Sequence, residues 1–162
     1  MSDGLQAPLS GRAFRDAFGA FATGVAVVTA AGPDGPVGLT TNALTSVSLD
    51  PPLFLVCFAK DSRTLPVVRD AGRLAVSILR SSQESMAARF ATKHEPEHKF
   101  HGIVLDDLAG VPAIAHAAAV IVGEITEIHS GGDHDIVVLR CTDVRSDPDA
   151  EPLLFVHGRF GG

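Results

Sequence analysis

Thr40, Thr41, Asn42, Thr45, Ser46 and Ser48 crowd hydroxyl and amide groups into residues 38–48, a run in which few side chains project far. A strand sends alternate side chains to opposite faces, which puts Thr40, Asn42, Ser46 and Ser48 on one of them as a low wall of hydrogen-bonding groups. Such a wall suits a planar heterocycle whose edge needs polar partners. Pattern alone favours the plainer alternative, an edge strand that shows Thr and Ser to water.

A second cluster, Lys60, Asp61, Ser62, Arg63 and Thr64, falls between an apolar run and a helical pattern. A helix start offers unpaired N–H groups and the positive end of the dipole, and two cations and two hydroxyls stand beside it here, so a phosphate could be cradled. An ordinary cap with solvated cations accounts for the same residues equally well. Further on, His94, Glu95, Glu97, His98, Lys99 and His101 gather ligand-type side chains around Pro96. Proline there disfavours the helix that would align His94 with His98, and neither a His-Glu-x-x-His motif nor a cysteine pair is present. No metal is expected, and the segment reads as a mobile lid with Lys99 free for charge pairing. His134 is a lone imidazole after the turn of Gly131, Gly132 and Asp133, a place more often held by a surface residue. Gly32, Gly35 and Gly38 imitate a dinucleotide fingerprint, but Pro33 and Pro36 interrupt them and no helix follows.

The elements that must hold these groups follow from period and breakers. Residues 10–21 space Phe14, Ala17, Phe18 and Phe21 on one helical face behind Ser10. Strand 25–29 and the return run 37–49 flank a Gly- and Pro-rich turn at 31–36, and Asp50, Pro51 and Pro52 turn the chain into 53–58, apolar throughout and expected to be buried on both faces. Residues 61–68 form a helix with Asp61 or Ser62 as its cap, 74–79 a strand, and 81–90 a second helix with Glu84 three residues after Ser81 as in a capping box. A loop spans 91–110, and the last strands are 120–128, 136–144 and 153–157. About seven strands at hairpin spacing, with helices after only some of them, predict a mainly β fold, an antiparallel barrel with peripheral helices.

Composition narrows the function. The chain has 162 residues, enough for one domain over 1–162, with 46% hydrophobic and 20% charged residues, which excludes disorder. Its net charge of −6 argues against nucleic acid and anionic membranes, so any anionic ligand must be held locally. Cys57 and Cys141 lie far apart in apolar runs and read as buried thiols. The first residues carry no basic, apolar leader and no run reaches the ~18 residues of a membrane span, so the chain is expected in the cytoplasm.

Taken in order, Thr23-Gly24-Val25, Gly38-Leu39-Thr40, Asn42-Ala43, Ser46-Val47-Ser48-Leu49-Asp50-Pro51-Pro52, Lys60-Asp61-Ser62, Arg89-Phe90-Ala91, Lys99-Phe100 and Gly132-Asp133-His134 resemble the flavin reductase-like family, the reductase components of two-component flavin-dependent monooxygenases. The resemblance runs from about residue 14 to 160. It implies an FMN-binding split β-barrel that forms a homodimer, binds FMN or FAD near the subunit interface, reduces it with NADH or NADPH and supplies it to a partner monooxygenase. By similarity Thr40, Thr41, Asn42, Ala43, Thr45, Ser46, Val47 and Ser48 would line the flavin ring, and Lys60, Ser62, Arg63 and Thr64 would meet its phosphate. Phe90, Ala91, Lys99 and Phe100 would cover it. His134 would be the catalytic, nicotinamide-positioning residue, and Arg159 would reach the cofactors. His98 stands where relatives carry an acidic residue before Lys-Phe. Hydride transfer between stacked rings depends mostly on orientation, which accounts for the lack of a nucleophilic triad. Two other readings fit the same barrel, an oxidase related to pyridoxamine-phosphate oxidases and a noncatalytic flavin or haem carrier.

Overall fold

The computed structural model describes residues 9–161, and the parts of the single-domain and N-terminal expectations that fall on 1–8 and 162 lie outside them. Helix α1 (Gly11–Gly19) starts where the Ser10 hydroxyl accepts from the Ala13 amide at 3.1 Å, and no residue of it is buried. Next come β1 (Thr23–Gly24), β2 (Ala26–Gly32), β3 (Gly35–Thr41), β4 (Leu44–Leu49) and β5 (Pro52–Ala59). Helix α2 (Thr64–Ala71) and β6 (Arg73–Ile78) follow, and then α3 (Glu84–Phe90), α4 (Pro96–Phe100) and the hairpin β7 (Leu105–Leu108) and β8 (Val111–Ile114). The chain closes with β9 (Ala119–Gly131), β10 (His134–Ser146), β11 (Leu154–Val156) and β12 (Arg159–Phe160).

Seven strands pair antiparallel in the order β3-β2-β6-β9-β10-β5-β4. The edge strands β3 and β4 are nonetheless consecutive in the chain, joined only by Asn42 and Ala43. Two extended residues span roughly 10 Å at most, so the sheet has to curl until its edges nearly meet. The result is a barrel left open along one seam. Two register shifts in the long β9–β10 pair let that hairpin bend around the curve.

Three apolar clusters hold this shape. Ala26, Val28, Phe54, Val56, Phe58, Leu74, Val76, Val137 and Leu139 fill the interior, plugged by Leu65 and Val68 of α2. Val25, Val27 and Leu79 face outward beneath Ala87 and Phe90 of α3. Ala75, Val120 and Val122 lie beneath Val111 and Ala113 of the β7–β8 hairpin. Two buried hydroxyls fix that hairpin: Ser77 Oγ accepts from the Ile114 amide at 3.0 Å, and Thr29 Oγ1 donates to the Pro112 carbonyl.

Several local expectations need correction. The run 37–49 is not one strand but two on opposite edges, because its small polar residues have no core face to keep them in one sheet register. The turn at 31–36 shrinks to Pro33 and Asp34, and Pro36 sits within β3, tolerated on an edge strand that needs no donor there. Phe54, Val56 and Phe58 are buried, but Leu53, Leu55 and Cys57 alternate with them and are only half-buried. Helix α2 begins at Thr64 behind Arg63, three residues later than expected. A 3₁₀ turn over Ser81–Gln83 precedes α3, and the side chain that reaches back to a cap amide is Gln83, accepting from Arg80 N at 3.0 Å. Pro96 opens α4 as its first residue, a place where its missing N–H costs nothing. Part of the expected 91–110 loop is thus α4 and β7.

Candidate functional site

The seam opens into a cleft of about 590 Å³, within the size range of small-molecule sites. One wall is the end of β3 and the link after it, Leu39, Thr40, Thr41, Asn42 and Ala43; the facing wall is Cys57, Phe58 and Ala59 of β5 with His134 of β10. Asp61, Ser62, Arg63 and Thr64 close one end, and Phe90, Ala91, Thr92, Lys93 and Lys99 lie over it. Strand pairing explains the company His134 keeps, since β10 places it directly opposite Ala59.

The side chains of the β3 wall are turned to structural partners. Thr40 Oγ1 donates to the Ala87 carbonyl at 2.7 Å, Asn42 Nδ2 donates to Thr23 Oγ1 at 3.1 Å, and Thr41 Oγ1 accepts from the Ala43 amide at 3.0 Å. As an edge strand β3 keeps unpaired backbone N–H and C=O groups along its outer side, which a planar ligand can use. Gly38 is fixed by a close approach: a Cβ there would lie 2.8 Å from the Val28 carbonyl and 3.2 Å from the Phe100 ring.

The overlying segment carries the least ordinary group. Lys99 is 8% exposed, and its ammonium donates to the Gly38 and Phe90 carbonyls, each at 3.3 Å. Burial, and then the nearby Arg63 guanidinium, hold its pKa below the lysine value, with Glu95 opposing. A buried cation held by neutral carbonyl partners is suited to an incoming anion or polarised oxygen. Arg63 in turn donates to Glu95 Oε1 at 2.5 Å and to the Lys93 carbonyl. The Thr64 amide donates to Ser62 Oγ at 3.3 Å, and the Ser62 amide to the Ala59 carbonyl at 2.9 Å.

On the facing wall His134 Nδ1 lies 2.7 Å from Asp133 Oδ1. That hydrogen bond, helped by the charge of the ring, holds the Asp133 carboxyl below the usual carboxylate range. With Nδ1 so engaged, Nε2 is the nitrogen left for a ligand. Burial pushes the Cys57 thiol up, so it stays protonated.

Of the residues singled out from sequence, Thr40, Thr41, Asn42, Ala43, Ser62, Arg63, Thr64, Phe90, Ala91, Lys99 and His134 line this one cleft. Thr45, Ser46, Val47 and Ser48 do not; they ride on β4 at the other sheet edge. Lys60 turns to the β9–β10 hairpin, where its Nζ donates to Ser130 Oγ at 2.6 Å. Phe100 stands behind Phe90, edge to face with ring centroids 4.8 Å apart. Arg159 is exposed on β12, beside Phe160, which with Phe155, Val25, Ala91, Thr40, Thr41 and Asn42 lines a second hollow of about 160 Å³. Cys57 and Ala59 are additions to the site. Neither cysteine is fully buried, which corrects the expectation of core thiols. Among the described residues no three His, Cys, Asp or Glu side chains gather as a metal site.

Comparison with known proteins shows what the whole chain is similar to. FMN reductase (NADH) SmoA of Agrobacterium fabrum is 40% identical over 156 residues, covering 93% of this chain and 84% of SmoA. The reductase subunit HsaB of a Mycobacterium tuberculosis flavin-dependent monooxygenase is 35% identical over 161 residues, covering 98% of this chain and 85% of HsaB. The structure of Streptomyces globisporus NADH:FAD oxidoreductase SgcE6 in complex with NAD and FAD fragments superposes with a TM-score of 0.89 at 36% identity, covering 98% of this chain and 95% of that one. Residues 18–162 match the flavin reductase like domain, and the chain belongs to that family.

Proposed function

We propose that this chain is an NAD(P)H-dependent flavin reductase that passes reduced FMN or FAD to a partner monooxygenase. The observation that carries the reading is the meeting, in one cleft of about 590 Å³, of an open β edge, a hydroxyl- and cation-bearing helix start and a carboxylate-oriented imidazole. The residues fit a flavin: the backbone of residues 40–43 offers edge partners for a flat ring, and Ser62, Arg63 and Thr64 with the α2 amides suit a phosphate. When bound, the flavin supplies the two-electron acceptor for a hydride. The protein's share is positional. Phe90 and Ala91 exclude water above the ring, Lys99 sets a positive charge against it, and His134 holds the nicotinamide.

The chain is proposed to fold as one domain and to work as a homodimer. Helices α2, α3 and α4 pack on β2, β3 and β6, whereas the outer faces of β5 and β10 keep Leu53, Leu55, Ile136 and Val138 half-exposed. A second copy seated there would extend the wall formed by Cys57 and bring β4, with Thr45, Ser46, Val47 and Ser48, into the neighbourhood of a cleft. Lys60, Phe100 and Arg159 stay in the proposed binding set, Phe100 as the support of Phe90. No described helix is long and apolar enough to cross a membrane. We assign the protein to the cytoplasm because its proposed donor is NAD(P)H.

Steady-state oxidation of NADH and NADPH with FMN, FAD and riboflavin in turn tests the reading. Turnover with catalytic protein and excess free flavin is expected. Bound flavin that an amine but not NAD(P)H bleaches would indicate an oxidase, and binding without turnover a carrier.

A further inference from the structure

Arg63 is spoken for before any ligand arrives. It lines the cleft just ahead of α2, yet its guanidinium is held by the Glu95 carboxylate at 2.5 Å and by the Lys93 carbonyl. Both side chains are well exposed, 59% for Arg63 and 60% for Glu95. An ion pair in that setting is weak and exchanges its partners readily. Glu95 also sits immediately before Pro96 at the start of α4, the helix whose last turn carries the buried Lys99. The carboxylate is therefore tethered at the mouth of the cleft, where a phosphate approaching Ser62, Arg63 and Thr64 has to compete with it.

We propose that Glu95 is a built-in competitor for the anion end of the cleft, and that it sets how strongly the protein favours phosphorylated over unphosphorylated flavin. The inference rests on the flavin-reductase reading. A carboxylate carries one negative charge, whereas a phosphomonoester carries about −1.5 to −2 near neutral pH and offers three acceptor oxygens to the same fork. The phosphate wins Arg63, but only after the internal pair is released, and a flavin without phosphate leaves that pair intact. Glu95 thus lowers affinity for FMN and leaves riboflavin untouched.

Fluorescence titration of FMN and riboflavin with wild type, Glu95→Gln, Arg63→Gln and the double variant tests this. Glu95→Gln is expected to lower the FMN Kd by up to about five-fold, the factor a single exposed pair can withhold, with riboflavin unchanged. Arg63→Gln weakens FMN, and Glu95→Gln gives no gain in that background. Unchanged or weaker FMN binding in Glu95→Gln overturns the proposal, as does an equal shift for both flavins, which would make the residue a simple latch. Inorganic phosphate supplies a readout independent of flavin: it should raise the Tm of Glu95→Gln more than that of wild type. A wild type that binds none of FMN, riboflavin and FAD refutes the flavin-reductase reading, while an unaltered phosphate response refutes the role of Glu95 alone.

Discussion

Burying an ammonium group whose partners among the described residues are two carbonyl oxygens works against the fold. Folding holds Lys99 below the ordinary lysine value of 10.5, so between the lowered value and 10.5 the unfolded chain binds more protons than the folded one. Stability from this group therefore rises with pH across that window, and at neutral pH the charged lysine is a net cost. Lys99→Met is expected to raise the Tm of the ligand-free protein by about 2–4 °C, roughly 1 kcal/mol, and to weaken flavin binding about ten-fold. Thermal unfolding and a flavin titration read both, and a destabilised variant would show that the charge supports the fold. His134 makes a different prediction. Its Nδ1 is fixed by the Asp133 carboxylate at 2.7 Å, so His134→Ala should raise the KM for the nicotinamide about ten-fold while the flavin KM stays near wild type. Equal effects on both would remove its role at the nicotinamide. Residue type raised Thr40, Ser62 and Arg63 as candidates but left a water-facing edge strand and an ordinary helix cap as equal or better readings. The family resemblance is what tied them to Lys99 in one site, because a hydroxyl or cation at a strand end or helix start serves structure as readily as a ligand. Cys57 escaped because its run is apolar, and only the pairing with β10 decides which way its side chain points.

Elements bend where the core demands it, and Gly123 on β9 shows the demand. A Cβ there would lie 2.6 Å from the Phe54 ring and 3.0 Å from the Arg140 carbonyl, so the bare backbone is the seat for a buried aromatic of β5. Gly123→Ala should destabilise the fold by about 1–3 kcal/mol, measured by denaturant unfolding, and Phe54→Leu should recover part of the loss in the double variant. Independent, additive losses would mean that the two do not share this space. Period and breakers were enough to find β2, β6 and the β9–β10 hairpin, whose apolar runs are long. They could not divide β3 from β4. Both are short and polar, and nothing in a single sequence tells which strand each will pair with. For the same reason Pro96 reads as an obstacle between two histidines, whereas the three-dimensional chain uses it to start a helix.

At the scale of the whole molecule the apolar row Leu53, Leu55, Ile136 and Val138 lies only partly buried on the outer sheet face. If a second copy covers it, Leu55→Glu combined with Val138→Glu should give a folded monomer by sedimentation, with flavin retention lost. A variant that stays dimeric would move the interface elsewhere. The acidic balance was visible from composition, and the barrel class from hairpin spacing, but the seam was not, since it arises from closure and not from any one segment. That seam has its own consequence. Asn42 and Ala43 tie opposite margins of the sheet, and the Cys57 amide grips the Ala43 carbonyl at 2.9 Å, so this short strap works as a gauge of how far the walls stand apart. Each residue spliced into it would let them part by up to about 3.3 Å. Lengthening that single connection would therefore retune the girth of the molecule this chain admits, with the interior of the barrel left as it is.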